Sequence, residues 1–159
     1  MAVPLSSHFI FDKKDYNMTL YEIINAFKKI ALTQPNVNFC EEGNVYDLMN
    51  GNPSAKFASV VLTQTQHTTD ETFDTYGFHI FYIDRLMDDM EANRQQIQSV
   101  GMVVLNNIIR TFMDVYDAEI EQLTFQPFTQ DFTCETAGDY VTVNVRMPKN
   151  IICSEVYGD

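Results

Sequence analysis

The sequence predicts an α+β fold, in which an antiparallel sheet with an extended hairpin packs one of its faces against two main helices. Two segments repeat apolar residues at helical spacing, and several others show the alternation or β-branched content of strands. The length of 159 residues suits a single domain. We place that domain at residues 19–147, between an N-terminal arm at 1–18 and a C-terminal tail at 148–159.

The first helix is predicted over 19–33. Thr19 and Glu22 have the spacing of a capping box, and the apolar residues that follow recur at the spacing of one buried helix face. Residues 36–56 carry turn-forming Gly, Asn and Pro and are predicted to be irregular, with one short turn of helix at 45–49.

Two strands are predicted next, over 57–63 and 72–83, because these segments are rich in aromatic and β-branched residues. The segment 64–71 between them is polar throughout and longer than a tight turn, so we expect a projecting loop. Gly77 in the second strand suggests a β-bulge or the close approach of another backbone.

A second, longer helix is predicted to begin near Asp88, with an acidic first turn that complements the positive end of the helix dipole. Its predicted buried stripe includes Ile97, Val104 and Ile108. Gly101 lies in the same stripe and costs roughly 1 kcal/mol relative to Ala, so we expect a neighbouring element to pack closely there.

The chain returns to strands after this helix. One candidate strand covers 120–125, and residues 140–147 show the cleanest alternation in the sequence, with four aliphatic side chains on one face. Residues 127–138 between them are predicted to form a long polar and aromatic connection.

The composition argues against binding of nucleic acid or of a membrane. Ten Lys and Arg stand against 22 Asp and Glu, so the formal net charge is −12. Capture of phosphate or of an anionic lipid surface needs a basic face. The sequence also lacks an 18-residue apolar run and the pattern of a secretory signal, so we predict neither a spanning helix nor export.

The candidate catalytic and metal-ligating residues do not form a recognisable motif. The histidines are His8, His67 and His79. They have no partners at metal-ligand spacing, and the three cysteines include no CxxC pair. The densest carboxylate cluster is Asp84, Asp88, Asp89 and Glu91. A strand end and a helix start explain this cluster better than metal binding or acid–base chemistry does. We predict no enzyme, no cofactor and no metal, and keep a carboxylate-dependent enzyme as the third hypothesis.

Two stretches of the chain carry a resemblance to known proteins. The first is 78–87, followed by 93–99 and a long apolar-faced helix, and the second is 127–133 before the strand at 138–143. Together they resemble structural proteins of phages that infect Bacteroides-type bacteria, including crAss-like phages. The order of elements over 19–147 is similar to that of the tail-terminator and tail-completion family.

This resemblance implies a virion protein that forms a homo-oligomeric ring, a hexamer or dodecamer, at the head–tail connector or in the tail. Its partners would be neighbouring portal, connector or tail ring proteins, and DNA would pass through without specific binding. In that family the sheet of each subunit lines the channel, the helices lie outside, and the hairpin loop reaches a neighbour. The protein would be made in the host bacterial cytoplasm.

The predicted loop at 64–72 is the candidate assembly element, because it has no large apolar residue to bury in its own subunit. Its candidate interface residues are Gln64, Gln66, His67, Thr68, Asp70 and Glu71. We expect the loop to contribute little to the fold, and a merely mobile hairpin tip stays open. The alternative function is a small acidic cytosolic adaptor that binds a protein partner through its aromatic surface.

Overall fold

The computed structural model describes residues 18–52, 56–87, 90–120, 123–132 and 134–149. In chain order its elements are α1 (Leu20–Thr33), β1 (Phe39–Glu42), α2 (Val45–Met49), β2 (Ser59–Thr69), β3 (Phe73–Arg85), α3 (Met90–Tyr116), β4 (Glu119–Ile120), β5 (Thr124–Asp131) and β6 (Glu135–Pro148). They form an α+β fold, as predicted. The predicted helix cap at Asp88 and most of the predicted arm and tail lie outside the described residues.

A mixed sheet organises the fold. The strand order is β1-β2-β3-β6-β4, and β5 pairs with the same edge of β6 as β4 does. β1 runs parallel to β2, whereas the other described pairings are antiparallel. The long strands β2, β3 and β6 form its centre, so the extended hairpin is confirmed.

α1 begins at the predicted capping box. The Glu22 main-chain N–H donates to the Thr19 hydroxyl at 3.2 Å, and the Glu22 carboxylate accepts from the Thr19 N–H. These bonds satisfy donors that have no partner within the helix. Further along α1, the Phe27 ring stacks on Phe112 of α3 at 4.2 Å and meets Phe78 of β3 edge-on at 5.9 Å.

Both main helices pack on one face of the sheet, the covered face. Successive strand residues point to opposite sides, so alternate side chains of β2, β3 and β6 enter this core. Leu62, Ile80 and Val141 are fully buried there. On the opposite side, the free face, α2 packs Met49 onto Val61 as part of a much smaller buried cluster.

α3 approaches the sheet closely at Gly101. A Cβ atom at Gly101 would lie 2.8 Å from Cδ1 of Tyr82, which is closer than side-chain carbons approach. The close packing predicted at this glycine is confirmed. So is the predicted stripe, because Ile97, Val104 and Ile108 are all buried.

The loop predicted over 64–71 is wrong. β2 continues to Thr69, and its antiparallel register with β3 ends at the pair of Thr69 and Asp74. Residues 70–72 alone connect the two strands. Threonine is β-branched and suits a strand, so the polar composition of this segment reflects solvent exposure rather than an irregular backbone.

Two other regions contain strands that the sequence pattern did not predict. β1 lies within 36–56 and has four residues, too few for a visible alternation. β5 and β6 together occupy most of the predicted connection over 127–138, which shrinks to residues 132–134. The short helix predicted at 45–49 is confirmed as α2.

Candidate assembly surface

The outer part of the β2–β3 hairpin, residues 64–76, holds all six predicted interface residues. We call it the hairpin end. Gln64 is half-buried and the other five are exposed. They therefore lie together on one accessible part of the protein, although on a strand and a turn rather than on the predicted loop.

A β-bulge marks the start of the hairpin end. Gln64 pairs with Phe78 and Gln66 pairs with Gly77, so Thr65 is the extra residue. A Cβ at Gly77 would lie 2.6 Å from the Thr65 hydroxyl oxygen. The bulge or close approach predicted at this glycine is confirmed, because a side chain there would collide with the bulged strand.

Asp70 builds the turn at the tip. Its carboxylate Oδ1 accepts main-chain hydrogen bonds from Thr72 at 2.8 Å and from Phe73 at 2.7 Å. These two donors hold the pKa of the Asp70 carboxyl below its usual range. Asp70 is therefore a structural turn residue. Asp is common in turns because its side chain accepts hydrogen bonds from main-chain N–H groups that follow it in the sequence.

His67 packs against its own hairpin. Its ring stacks on Tyr76, directly across the strand pair, with 4.5 Å between centroids and 22° between planes. Its Nε2 lies 3.7 Å from Oδ1 of Asp74. The side chain is thus held in place while about half of it stays exposed, which suits a contact surface better than a flexible tip.

The far side of the hairpin end is anchored to the rest of the sheet. The Arg146 guanidinium lies 3.8 Å from the centroid of the Phe73 ring and 3.6 Å from a carboxylate oxygen of Glu119. The Lys149 main-chain N–H donates to the Thr72 carbonyl at 2.8 Å. Cation–π contacts of this kind contribute about 0.5–1 kcal/mol at exposed sites.

One main-chain edge of the hairpin end has no described partner. β1 pairs with β2 as far as Leu62. Asp70 donates to the Phe73 carbonyl, so by the antiparallel alternation the main-chain groups of Thr68 also face β3. The main-chain groups of His67 and Thr69 then point outward, away from the described strands. We call this side of residues 64–69 the open edge.

The free face of the sheet carries an aromatic cluster that the sequence analysis did not single out. Phe81 and Tyr140 lie side by side at 5.2 Å between centroids, and His79 and Phe128 pack around them at 5.4–6.4 Å. All four are half-buried. His79 lies on this face, on the opposite side of the sheet from its neighbour Phe78, which is buried in the covered core.

The residues considered for catalysis that the structure describes lie apart from one another: His67 is on the hairpin end, His79 is on the free face and Asp84 is near the end of β3. A pocket of about 400 Å³ is lined by Leu86, Arg94, Thr129, Gln130, Asp131, Glu135 and Thr136. Its polar lining consists of one cation, two carboxylates, one amide and two threonine hydroxyls, without a His or Cys side chain, and Arg94 already donates to Gln98 at 3.4 Å. Asp84 accepts from the Arg85 main-chain N–H, while Asp88 and Asp89 lie outside the described residues.

Two further findings concern chemistry and membranes. Within the described part of the chain, no group of three or more His, Cys, Asp or Glu side chains is arranged to hold a metal ion. Burial raises the pKa of the Cys40 thiol to about 12, which keeps it protonated at neutral pH. None of the helices over the described ranges is both long and apolar enough to span a membrane.

Neither a scan against protein-family models nor a search of curated proteins finds a match to this chain. The fold and surface define an α+β protein with an exposed, well-packed hairpin end and a half-buried aromatic cluster.

Proposed function

We propose that this chain is a structural virion protein that forms a homo-oligomeric ring at the phage head–tail connector or in the tail, with a channel for DNA. The open edge of β2 supports this proposal most directly. A strand with an unpaired row of main-chain groups is a ready template for a strand of another molecule. The open edge also lacks the usual protection, since residues 64–69 include no proline, lysine or carboxylate.

The rigid packing of the hairpin end supports a contact role. His67 is stacked on Tyr76 and the turn is fixed by Asp70, so docking of a neighbour would cost little conformational entropy. The opposite edge of the sheet is less suited to strand addition. Pro127 lies in the middle of β5 and has no N–H to donate.

The charge of the chain fits the passage of DNA. A formal net charge of −12 repels phosphate, so duplex DNA would move through the ring without adhering. The purified full-length protein should show no binding to duplex DNA in a gel-shift titration at moderate salt. A salt-sensitive micromolar complex would contradict the channel and would indicate a basic surface instead.

The first test is the oligomeric state of the full-length chain. Native mass spectrometry and negative-stain electron microscopy over a range of concentrations should show closed rings of one copy number, because identical subunits in a closed ring share one repeated contact. A chain that remains monomeric at all concentrations, and is absent from purified virions, would overturn the proposal.

The second test concerns the open edge. Thr69→Pro removes an outward N–H without touching a bond to β3, and we expect it to abolish ring formation while the melting temperature changes little. Thr129→Pro is the matched control, because it alters the edge of β5 that Pro127 already interrupts. Rings that survive Thr69→Pro would show that the assembly contact lies elsewhere.

The alternative is a small acidic cytosolic adaptor that binds a protein partner. The aromatic cluster of Phe81, Tyr140, His79 and Phe128 favours it, since half-exposed aromatic side chains are common at protein interfaces. A monomer that is absent from virions, and that loses a bacterial protein partner on Tyr140→Ala, would favour the adaptor over the ring.

A further inference from the structure

The outer side of α3 differs from an ordinary exposed helix face. From Gln95 to Ile109 the helix has 15 consecutive residues without a charge, although charged residues make up 20% of the chain. A helix that packs one side on a core normally places charged residues on the side that faces water. Here that side is neutral over four turns of helix.

Exposed aliphatic side chains lie on this neutral stretch. Val103 is 59% exposed, Met102 is 51% exposed and Val100 is 36% exposed, whereas Val104 next to them is buried in the core. Gln96, Ser99, Val103 and Asn106 follow one another at spacings of three and four residues, so they share one face of the helix. We call this stripe, with Val100 and Met102 at its sides, the outer face of α3.

We propose that the outer face of α3 is a two-fold interface at which two copies of this chain pack their α3 helices against each other in antiparallel orientation. Each copy carries a formal net charge of −12, so two copies repel each other over most of their surface. They can approach closely where carboxylates are few. α3 itself contributes none from Gln95 to Ile109, and Asp84 lies only at the border of the outer face, where it lines a pocket with Gln96 and Val100.

The composition and dimensions of the outer face fit this occupant. A two-fold contact brings the same patch of both copies together, and a neutral patch avoids the like-charge pairs that a charged one would create. The 15 uncharged residues extend over about 22 Å of helix at ~1.5 Å per residue. Ser99 is small and Val103 projects beside it, which allows the two helices to interlock.

This contact is separate from the one in the ring proposal. The ring needs a head-to-tail contact that repeats around an axis, for which the open edge of β2 is the candidate. A two-fold contact through α3 pairs two subunits of different rings, or forms a dimer without a ring. Experiments can therefore contradict either contact without contradicting the other.

The test compares the full-length wild-type chain with Val103→Lys by sedimentation equilibrium at 0.5 M salt, where repulsion between copies is screened. We expect the wild type to show two-fold association and Val103→Lys to weaken it at least tenfold. The substitution adds one positive charge and moves the net charge from −12 to −11, so a loss of association cannot come from stronger overall repulsion. Lysine also favours a helix slightly more than valine does.

Tyr21→Lys is the matched control. Tyr21 is 75% exposed on α1, so the variant makes the same charge change at another exposed aromatic or aliphatic position and should associate like the wild type. Equal circular dichroism spectra and a cooperative melting transition would verify that all variants are folded. A wild type that stays monomeric, or a Val103→Lys variant that associates like the wild type, would overturn the interface.

Thr69→Pro distinguishes the α3 interface from the ring contact, because it alters the open edge of β2 and leaves the outer face of α3 unchanged. A chain that forms dimers sensitive to Val103→Lys, but no rings, would support the α3 interface and contradict the ring. If Val103→Lys forms normal rings, and the wild type shows no pairs of rings or other two-fold assemblies, the ring would be supported and the α3 interface contradicted.

Discussion

The covered and the free faces of the sheet are built from the same strands but are closed in different ways. On the covered face, α1 and α3 seal a core in which Phe27, Ile80 and Leu105 have no exposed area. On the free face, α2 closes a small cluster around Met49 and Val61, and the aromatic side chains beyond it remain half-buried. The comparison shows that the covered face stabilises the protein, whereas the free face leaves aromatic side chains accessible for contact with other molecules.

The energetic consequence follows from burial. Removing a large aliphatic or aromatic side chain from water contributes about 1.5–3 kcal/mol, and a half-buried one contributes correspondingly less. The covered face therefore supplies most of the stability. The free face, the hairpin end and the outer face of α3 can change with smaller effects on folding.

The largest effect is expected where a charge enters the covered core. Val104→Asp should unfold the domain, because an unpaired buried carboxylate costs several kcal/mol, comparable to the stability of a whole domain. Val103→Asp is its matched control, one residue away on the outer face. Circular dichroism melts should show no cooperative transition for the first variant and a nearly unchanged one for the second. An unaffected Val104→Asp would contradict the orientation of α3.

The second prediction compares one phenylalanine from each face. Phe27→Ala should lower the free energy of unfolding by about 3–5 kcal/mol, because it empties a site stacked between Phe112 and Phe78. Phe81→Ala should cost about 1–2 kcal/mol, since its ring is half-buried on the free face. Urea unfolding of both variants would measure this, and equal losses would refute the unequal division of stability.

The covered face was largely predictable from the sequence. The capping box at Thr19, the buried stripe around Val104 and the alternation over 140–147 are periodic signals, because one side of each element is buried and the other is not. Such patterns can be recognised in a single sequence. They gave the helices, the main strands and the close packing at Gly101.

The rest could not be predicted for identifiable reasons. Residues 64–69 of β2 carry polar side chains on both faces of the strand. They therefore show no alternation of apolar and polar residues, and their sequence resembles that of a loop. β1 is too short to show a pattern, and its parallel pairing depends on residues about 20 positions away. The six candidate interface residues lie together on the hairpin end because they are close in sequence, whereas the aromatic cluster arises from β3, β5 and β6 and has no local signal.

Gly101→Ala tests the contact between α3 and the covered face. The new methyl group would meet the Tyr82 ring at 2.8 Å, so the ring or the helix has to shift. We expect a loss of about 1–3 kcal/mol in spite of the better helix propensity of alanine. Ser99→Ala on the outer face is the control and should be neutral or slightly stabilising. A stabilised Gly101→Ala would mean that α3 lies farther from the sheet.

The last prediction concerns Asp139, whose replacement should stabilise the protein at high pH. This residue is 5% exposed on the covered face beneath Gly101, and no described residue forms a hydrogen bond or ion pair with its carboxylate. Burial raises the pKa of its carboxyl, so the folded state holds the proton more tightly than the unfolded state does. Stability is then lost as the pH rises above the usual Asp pKa of about 4, until the folded carboxyl is also ionised.

Asp139→Asn keeps the shape of the side chain and removes the charge. At pH 8 we expect the variant to be more stable than the wild type by roughly 1 kcal/mol, because the cost of a buried ionised carboxylate disappears. Below the usual Asp pKa of about 4 the pH-dependent part of this difference should vanish, because the carboxyl is then protonated in the folded and in the unfolded state. Urea unfolding of both proteins at several pH values measures the difference in their free energies of unfolding. The titration of the other carboxylates is common to both proteins and cancels in this difference. A gap that is independent of pH would show that the carboxyl has the same pKa in the folded and unfolded states, and would contradict the effect of burial on Asp139.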